Sequence, residues 1–178
     1  MVVDIVTPQP GWIGLTSIKG WVGLGIRCGQ FLNGDGFSKL EHAFMFVDAD
    51  GDRIVEAEPG GAVLGYLSEY DPAHVVWLPC PPQLGAAVAD EARGLLRTPY
   101  SFLDYDALAA HRLHIPVPGL REYIQDTGHM ICSQLVDEAA RRGGWQIFDD
   151  GRWPGFVTPG ALNRRRLELL AARPEGAA

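Results

Sequence analysis

Apolar and polar positions alternate most clearly over residues 42–48 (HAFMFVD), where aromatic and aliphatic side chains mark a strand. Ala49-Asp50-Gly51 follows as a polar turn, and 52–57 (DRIVEA) reads as the returning strand of a hairpin. A third strand is predicted at 75–78 (VVWL), closed by Pro79-Cys80-Pro81-Pro82. Another short one falls at 2–6, ended by the turn at Pro8 and Pro10. Elsewhere the period lengthens. Leu84, Val88, Ala92 and Leu95 form one stripe of an amphipathic helix over 83–97, which Pro99 stops. Trp12, Leu15, Ile18, Val22 and Ile26 have helical spacing within 12–32, although the glycines there lower helix propensity. Further helices are predicted at 102–112 and at 132–142, the latter with Leu135, Val136 and Ala139 on one face and Gly143-Gly144 as its stop. Residues 115–119 (IPVPG) form an extended connection, and 156–170 read as a Thr-Pro turn and an Arg-rich helix. The segment 106–130 mixes prolines and glycines with apolar Leu113, Leu120 and Ile124, which suits a cover over a groove.

These short elements predict an α+β fold in a single domain over 1–178, with a frayed tail at about 172–178. The 22 glycines and 13 prolines suit many turns rather than a long helical bundle. A net charge of −7 argues against non-specific binding to nucleic acid or to an anionic membrane. Residues 12–26 are the longest weakly polar stretch, but Lys19 and four glycines interrupt it and it is too short to span a bilayer. The N-terminus lacks a basic region and carries Asp4, so synthesis in the cytoplasm without a signal peptide is expected, the final location being open. Oligomeric state is not legible.

The three cysteines, Cys28, Cys80 and Cys132, are widely spaced and form no CxxC pair. That pattern offers neither a zinc ribbon nor a disulfide framework. Cys132 differs from the other two because it opens the helix beginning CSQLVDEAARR. Unpaired N–H groups and the helix dipole favour an anion there, and a thiol attacks as its thiolate. The same N–H groups can stabilise an oxyanion on a substrate. The plainer alternative is a small buried hydrophobe.

Three motifs favour the chemical reading. His42-Ala43-Phe44-Met45-Phe46-Val47 opens a strand with histidine, Ile54-Val55-Glu56-Ala57 puts a polar residue on the next, and Cys132-Ser133-Gln134-Leu135-Val136 starts a helix. In this order they resemble the permuted NlpC-like papain-fold cysteine hydrolases, a group that includes the lecithin:retinol acyltransferase-like enzymes. Thr98-Pro99-Tyr100 resembles a stretch that precedes the catalytic helix in that group. Histidine before cysteine marks the permuted branch. The resemblance spans roughly residues 1–160, its specific motifs about fifteen residues. It implies a papain-like fold, circularly permuted, with a small antiparallel sheet packed on the cysteine helix. It also implies that Cys132 is the nucleophile, His42 its base, and that Tyr100 and Ser133 contact substrate. For Tyr100, core packing with a polar tip is the other reading.

Glu56 is the candidate to orient His42, as the carboxylate of a triad does. Hairpin register decides this. A two-residue turn pairs Met45 with Glu56 and sends the carboxylate to the face opposite His42. A three-residue loop with Gly51 left-handed pairs Phe44 with Glu56 and puts it on the His42 face. Gly51 favours the second; Glu58 substitutes if the register differs. Because the acyltransferase branch has a second histidine at this place, the glutamate argues against lipid acyl transfer.

Other signals are weaker. Asp48 to Asp52 echoes a calcium loop, but Gly51 is misplaced and position twelve is Pro59. His111 and His114 lack a nearby carboxylate, so no metal and no cofactor is expected. Arg164-Arg165-Arg166 reads as a solvated helix face, and Cys28 and Cys80 as structural. The expected activity is thiol hydrolysis of a small peptide or amide substrate, cell-wall peptides among them. A lipid esterase or acyltransferase is the catalytic alternative, and a non-catalytic binding or assembly module of the same fold is the other.

Overall fold

The predicted hairpin strand is buried on both of its faces. The computed structural model describes residues 6–17, 38–58, 61–98, 132–151 and 157–172. Strand β2 (His42–Phe46) lies at the centre of a five-stranded antiparallel sheet. Its neighbours are β1 (Ile13–Thr16), β3 (Arg53–Glu58), β4 (Gly61–Tyr66) and β5 (Val76–Leu78), in the order β4-β3-β2-β1-β5. Three helices complete the α+β architecture: α1 (Gly85–Gly94), α2 (Cys132–Arg142) and α3 (Pro159–Ala171).

Period two sorts the residues of β2, and Val47 just after it, between two clusters. Ala43, Met45 and Val47 join Leu15, Val55, Val88, Leu135, Val136 and Ala139 in the main core, between the sheet and helices α1 and α2. Truncating a fully buried Leu135 to Ala should cost about 2–5 kcal/mol. Phe44 and Phe46 face the other way and pack with Ile54, Val75, Leu67, Tyr70 and Trp77. Two short 3-10 turns, Leu67–Glu69 and Pro72–His74, carry the chain from β4 to β5 along that cluster. Trp77 meets Phe44 edge-on at 5.7 Å between ring centroids.

Two elements depart from the sequence reading. Helical spacing predicted a helix from residue 12 onward, yet Ile13–Thr16 is a strand paired with both β2 and β5. Ile13 and Leu15 are both fully buried, and Gly14 between them lies where a Cβ would strike the Phe44 ring. Ladder pairing on both edges satisfies the backbone of this segment, and its glycine gives a helix little support. The second departure is β4, which was not predicted; it pairs along the whole of β3. Its outer edge is partly covered, because Ala62 N–H donates to Thr98 O and Arg97 N–H to Ala62 O, both at 2.8 Å.

The helices follow the sequence more closely. α1 begins at Gly85 instead of Gln83, and its last residues give way to a turn before Thr98. The Arg93 guanidinium donates to Val47 O, tying α1 to the end of β2. α2 has the predicted limits and ends in a Schellman motif. There Trp145 N–H donates to Ala140 O at 2.7 Å, and Gly144 takes the left-handed conformation with φ 86°. Gly143 lets α1 and α2 approach closely, since a Cβ on it would stand 2.6 Å from Val88 Cα. Thr158 caps α3 by accepting from Ala161 N–H at 3.0 Å. The arginine row on α3 is not wholly solvated: Arg166 Nε donates to Trp77 O at 3.0 Å, fastening α3 to β5. The strand at 2–5, the remainder of the predicted first helix at 18–32, the helix at 102–112, the connection at 115–119 and the cover at 106–130 lie outside the described residues, and Val6 is in no strand.

Candidate active site

The three-residue loop sets the register. Phe44 pairs with Glu56, Met45 with Val55 and Phe46 with Ile54, so Glu56 shares the sheet face of His42. Gly51 does not take the left-handed conformation expected of it, for the described glycines with positive φ are Gly11, Gly61, Gly144 and Gly151. Asp48 organises the turn instead. Its carboxylate accepts from Asp50 N–H at 3.3 Å and occupies the space that a Cβ on residue 51 would need.

His42 Nε2 and Glu56 Oε2 are 2.7 Å apart, with the two side chains nearly buried. Burial would lower the His42 pKa, but hydrogen bonds with Cys132 and Glu56, together with the charge of both, raise it from 6.5 to about 10. Burial would raise the Glu56 carboxyl, while hydrogen bonds from His42 and Tyr70 and the His42 charge hold it below the usual carboxylate range. With Nε2 engaged by Glu56, Nδ1 is the ring nitrogen left to exchange a proton with the thiol.

Cys132 is the first residue of α2 and only 2% exposed. Its Sγ lies 4.0 Å from the carbonyl oxygen of Glu41, the residue before His42, so the helix start sits against the start of β2. Thiol, imidazole and carboxylate thus come from α2, β2 and β3. The remaining predicted residues fall differently. Glu58 is exposed and paired with Gly61, and Glu56 is the carboxylate that meets His42. Ser133, expected to contact substrate, is fully buried and donates its hydroxyl to Val157 O at 2.8 Å. That proton is committed to seating the chain before α3 on α2. Tyr100, Cys28, His111 and His114 lie outside the described residues. Cys80 is buried, and burial pushes its thiol up to about 11.

Tyr70 escaped the sequence reading. Its hydroxyl donates to Glu56 Oε2 at 2.5 Å, and its ring stacks on Phe44 at 4.9 Å and on His42 at 6.0 Å between centroids. Burial and the Glu56 hydrogen bond push its hydroxyl well above the ordinary tyrosine range, so it stays a donor at working pH. A lone tyrosine in the unpatterned stretch after β4 carries no local signal, and only the tertiary fold brings it to Glu56.

The described part of the fold therefore defines an α+β protein with a cysteine, a histidine and a glutamate gathered at one end of a central strand. Compared with protein-family models, curated proteins and solved structures, the chain matches none. Among the described residues no group of three or more His, Cys, Asp or Glu could hold a metal ion, and no helix is long and apolar enough to cross a membrane.

Proposed function

We propose that the chain is a thiol hydrolase of the permuted papain-like type, cleaving amide or peptide bonds through a Cys132 acyl-enzyme. The observation that carries this reading is the His42–Glu56 hydrogen bond beside a cysteine that opens a helix. A structural thiol needs no such arrangement. Cys80 has only burial around it, and its pKa rises accordingly.

In the proposed cycle His42 holds the proton of the Cys132 thiol, and the resulting thiolate attacks the substrate carbonyl carbon. The start of α2, with the positive end of its dipole, faces the oxyanion. His42 then protonates the departing amine as the C–N bond breaks, leaving a thioester on Cys132. Water attacks the thioester, His42 takes its proton, and release of the acid restores the thiolate–imidazolium pair. Glu56 remains ionised throughout and fixes the ring through Nε2.

Peptide and amide substrates are preferred to lipids on two grounds. A carboxylate orients His42, and the described part of the apolar N-terminal stretch is spent on the fold: Ile13 and Leu15 are in the core, and Trp12 packs against it. The test is a panel of electrophilic acyl donors, peptidyl and lipidic, read as covalent adducts on the intact protein. Peptidyl adducts on Cys132, absent in Cys132→Ala, are expected. Adducts formed only from phospholipid donors would move the assignment to acyl-chain chemistry, and a Cys132 inert to both would remove catalysis.

A further inference from the structure

We propose that Tyr70 is a positioning residue of this site: its hydroxyl holds the Glu56 carboxylate in the orientation and the charge state that His42 requires. The inference rests on the thiol-hydrolase reading and deepens it. Glu56 Oε2 receives two donors at once, His42 Nε2–H at 2.7 Å and Tyr70 O–H at 2.5 Å. A glutamate side chain has rotatable bonds that one hydrogen bond does not fix, whereas two donors converging from different elements do. The carboxylate is 1% exposed, so water does not replace a missing donor, and losing one costs the buried anion directly.

Tyr70 is itself held in place. Its ring packs against both Phe44 and His42, which also touch each other, and its backbone N–H donates to Leu67 O at 3.0 Å. The hydroxyl therefore arrives pre-aimed, supported by an aromatic cluster rather than by a mobile side chain. The titratable groups around this pair are His42 and Cys132 on one side and Glu58 and Glu69, whose charges act on Tyr70, on the other; Glu41 is next to His42 in the chain. Apart from His42 these are acids, so none of them can replace the Tyr70 donor in keeping Glu56 ionised.

A ring that served only for packing would be replaced by phenylalanine without consequence. A positioning hydroxyl would not. In Tyr70→Phe the stacking stays while Glu56 loses one of the two hydrogen bonds that hold its pKa down, so Glu56 takes up a proton at higher pH. Neutral Glu56 no longer supports the imidazolium, and the thiolate of Cys132 is lost with it.

The experiment is the rate of Cys132 alkylation by iodoacetamide against pH, for wild type, Tyr70→Phe and Tyr70→Leu, with the thermal midpoint of each. The acid limb in Tyr70→Phe should move up by about one pH unit, the worth of one charge-assisted hydrogen bond, with the midpoint falling by only about 2–4 °C. On the acid limb itself, below the titration in both proteins, that is a loss of roughly tenfold in rate. A Tyr70→Phe profile superimposable on wild type, with only Tyr70→Leu impaired, would overturn the positioning role and leave the hydrolase reading intact. A wild-type thiol that is inert across the range would overturn both. Should Tyr70→Phe not fold, NMR of ring-labelled tyrosine carries the test in the other proteins. The Tyr70 Cζ resonance should shift between wild type and Glu56→Gln, and an unmoved resonance would overturn the inference.

Discussion

Glu56 stands opposite Phe44 in the β2–β3 ladder, yet its carboxylate bonds to His42, the next residue along the same face. Diagonal neighbours on one sheet face are about 7–8 Å apart at Cα, a distance that a glutamate spans and an aspartate does not. Residue 58 continues the same register and would stand across from His42 itself, but Glu58 is exposed at the strand end. Side-chain length and burial, not adjacency, select the partner.

The two glutamates should therefore separate cleanly on substitution. Glu56→Gln keeps size and shape but removes the charge that raises His42, and turnover should fall by roughly two to four orders of magnitude. Glu58→Gln should change turnover by less than about twofold, as exposed substitutions usually do. Steady-state kinetics on a peptidyl donor measures both. Equal small effects would mean that His42 takes its orientation from another group.

Two buried thiols give an internal comparison. Cys132 has His42 as partner and a helix N-terminus beneath it, so its alkylation should titrate well below about 8.5, the value of a free thiol. Cys80 is pushed up to about 11 by burial and should remain unlabelled at neutral pH. Mass spectrometry of tryptic peptides after a brief pulse of iodoacetamide distinguishes them. Preferential labelling of Cys80 would contradict the electrostatic account of both sites.

How far the sequence reached has a physical explanation. His42, Glu56 and Cys132 were legible because each sits in a strong local pattern: an alternating strand, a turn that fixes register, and a helix start. β1 and β4 were not. Gly14, Gly61 and Gly65 lower strand propensity, and each is glycine because another group fills its Cβ space. At Gly14 that group is the Phe44 ring, at Gly61 the Thr98 carbonyl, and at Gly65 the Glu56 carboxylate. The close packing that builds the site erased the signal that would have announced its strands. Tyr70 was missed for a related reason, since its partner is fourteen residues away and no periodicity links them.

The pH dependence follows from opposite shifts in two groups. His42 is raised from 6.5 to about 10, so its contribution to stability is fully present below 6.5 and is lost as pH rises through about 10. Glu56 is lowered from 4.5, so its contribution is present above 4.5 and is lost as pH falls through its folded value. Activity should show a plateau through neutral pH and an alkaline limb near 10, where His42 can no longer protonate the leaving amine. Glu56→Gln removes one cause of the His42 elevation and should shift that limb to lower pH. It should also flatten the acid side of the stability profile measured by urea unfolding. An alkaline limb unmoved in Glu56→Gln would show that Cys132 alone sets the His42 pKa.

Gly65 offers the sharpest separation of function from fold. A Cβ at this position would overlap Glu56 Oε1, while its other close neighbour, Ile54 Cγ1, would be 3.4 Å away and able to yield. The carboxylate end is flexible in principle, but His42 and Tyr70 both hold it by Oε2. In Gly65→Ala the carboxylate must leave one or both of these donors, since the strand backbone is fixed by its pairing of residue 65 with Ile54. Turnover should drop at least roughly tenfold, with a stability loss of only about 1 kcal/mol. A double-mutant cycle identifies the route. If Gly65→Ala acts through Glu56, adding it to Glu56→Gln should lower turnover little further, because both changes remove the same interaction. Full additivity of the two losses would place the effect of Gly65→Ala elsewhere in the sheet, and unchanged turnover in the single variant would show that the carboxylate can shift without releasing His42.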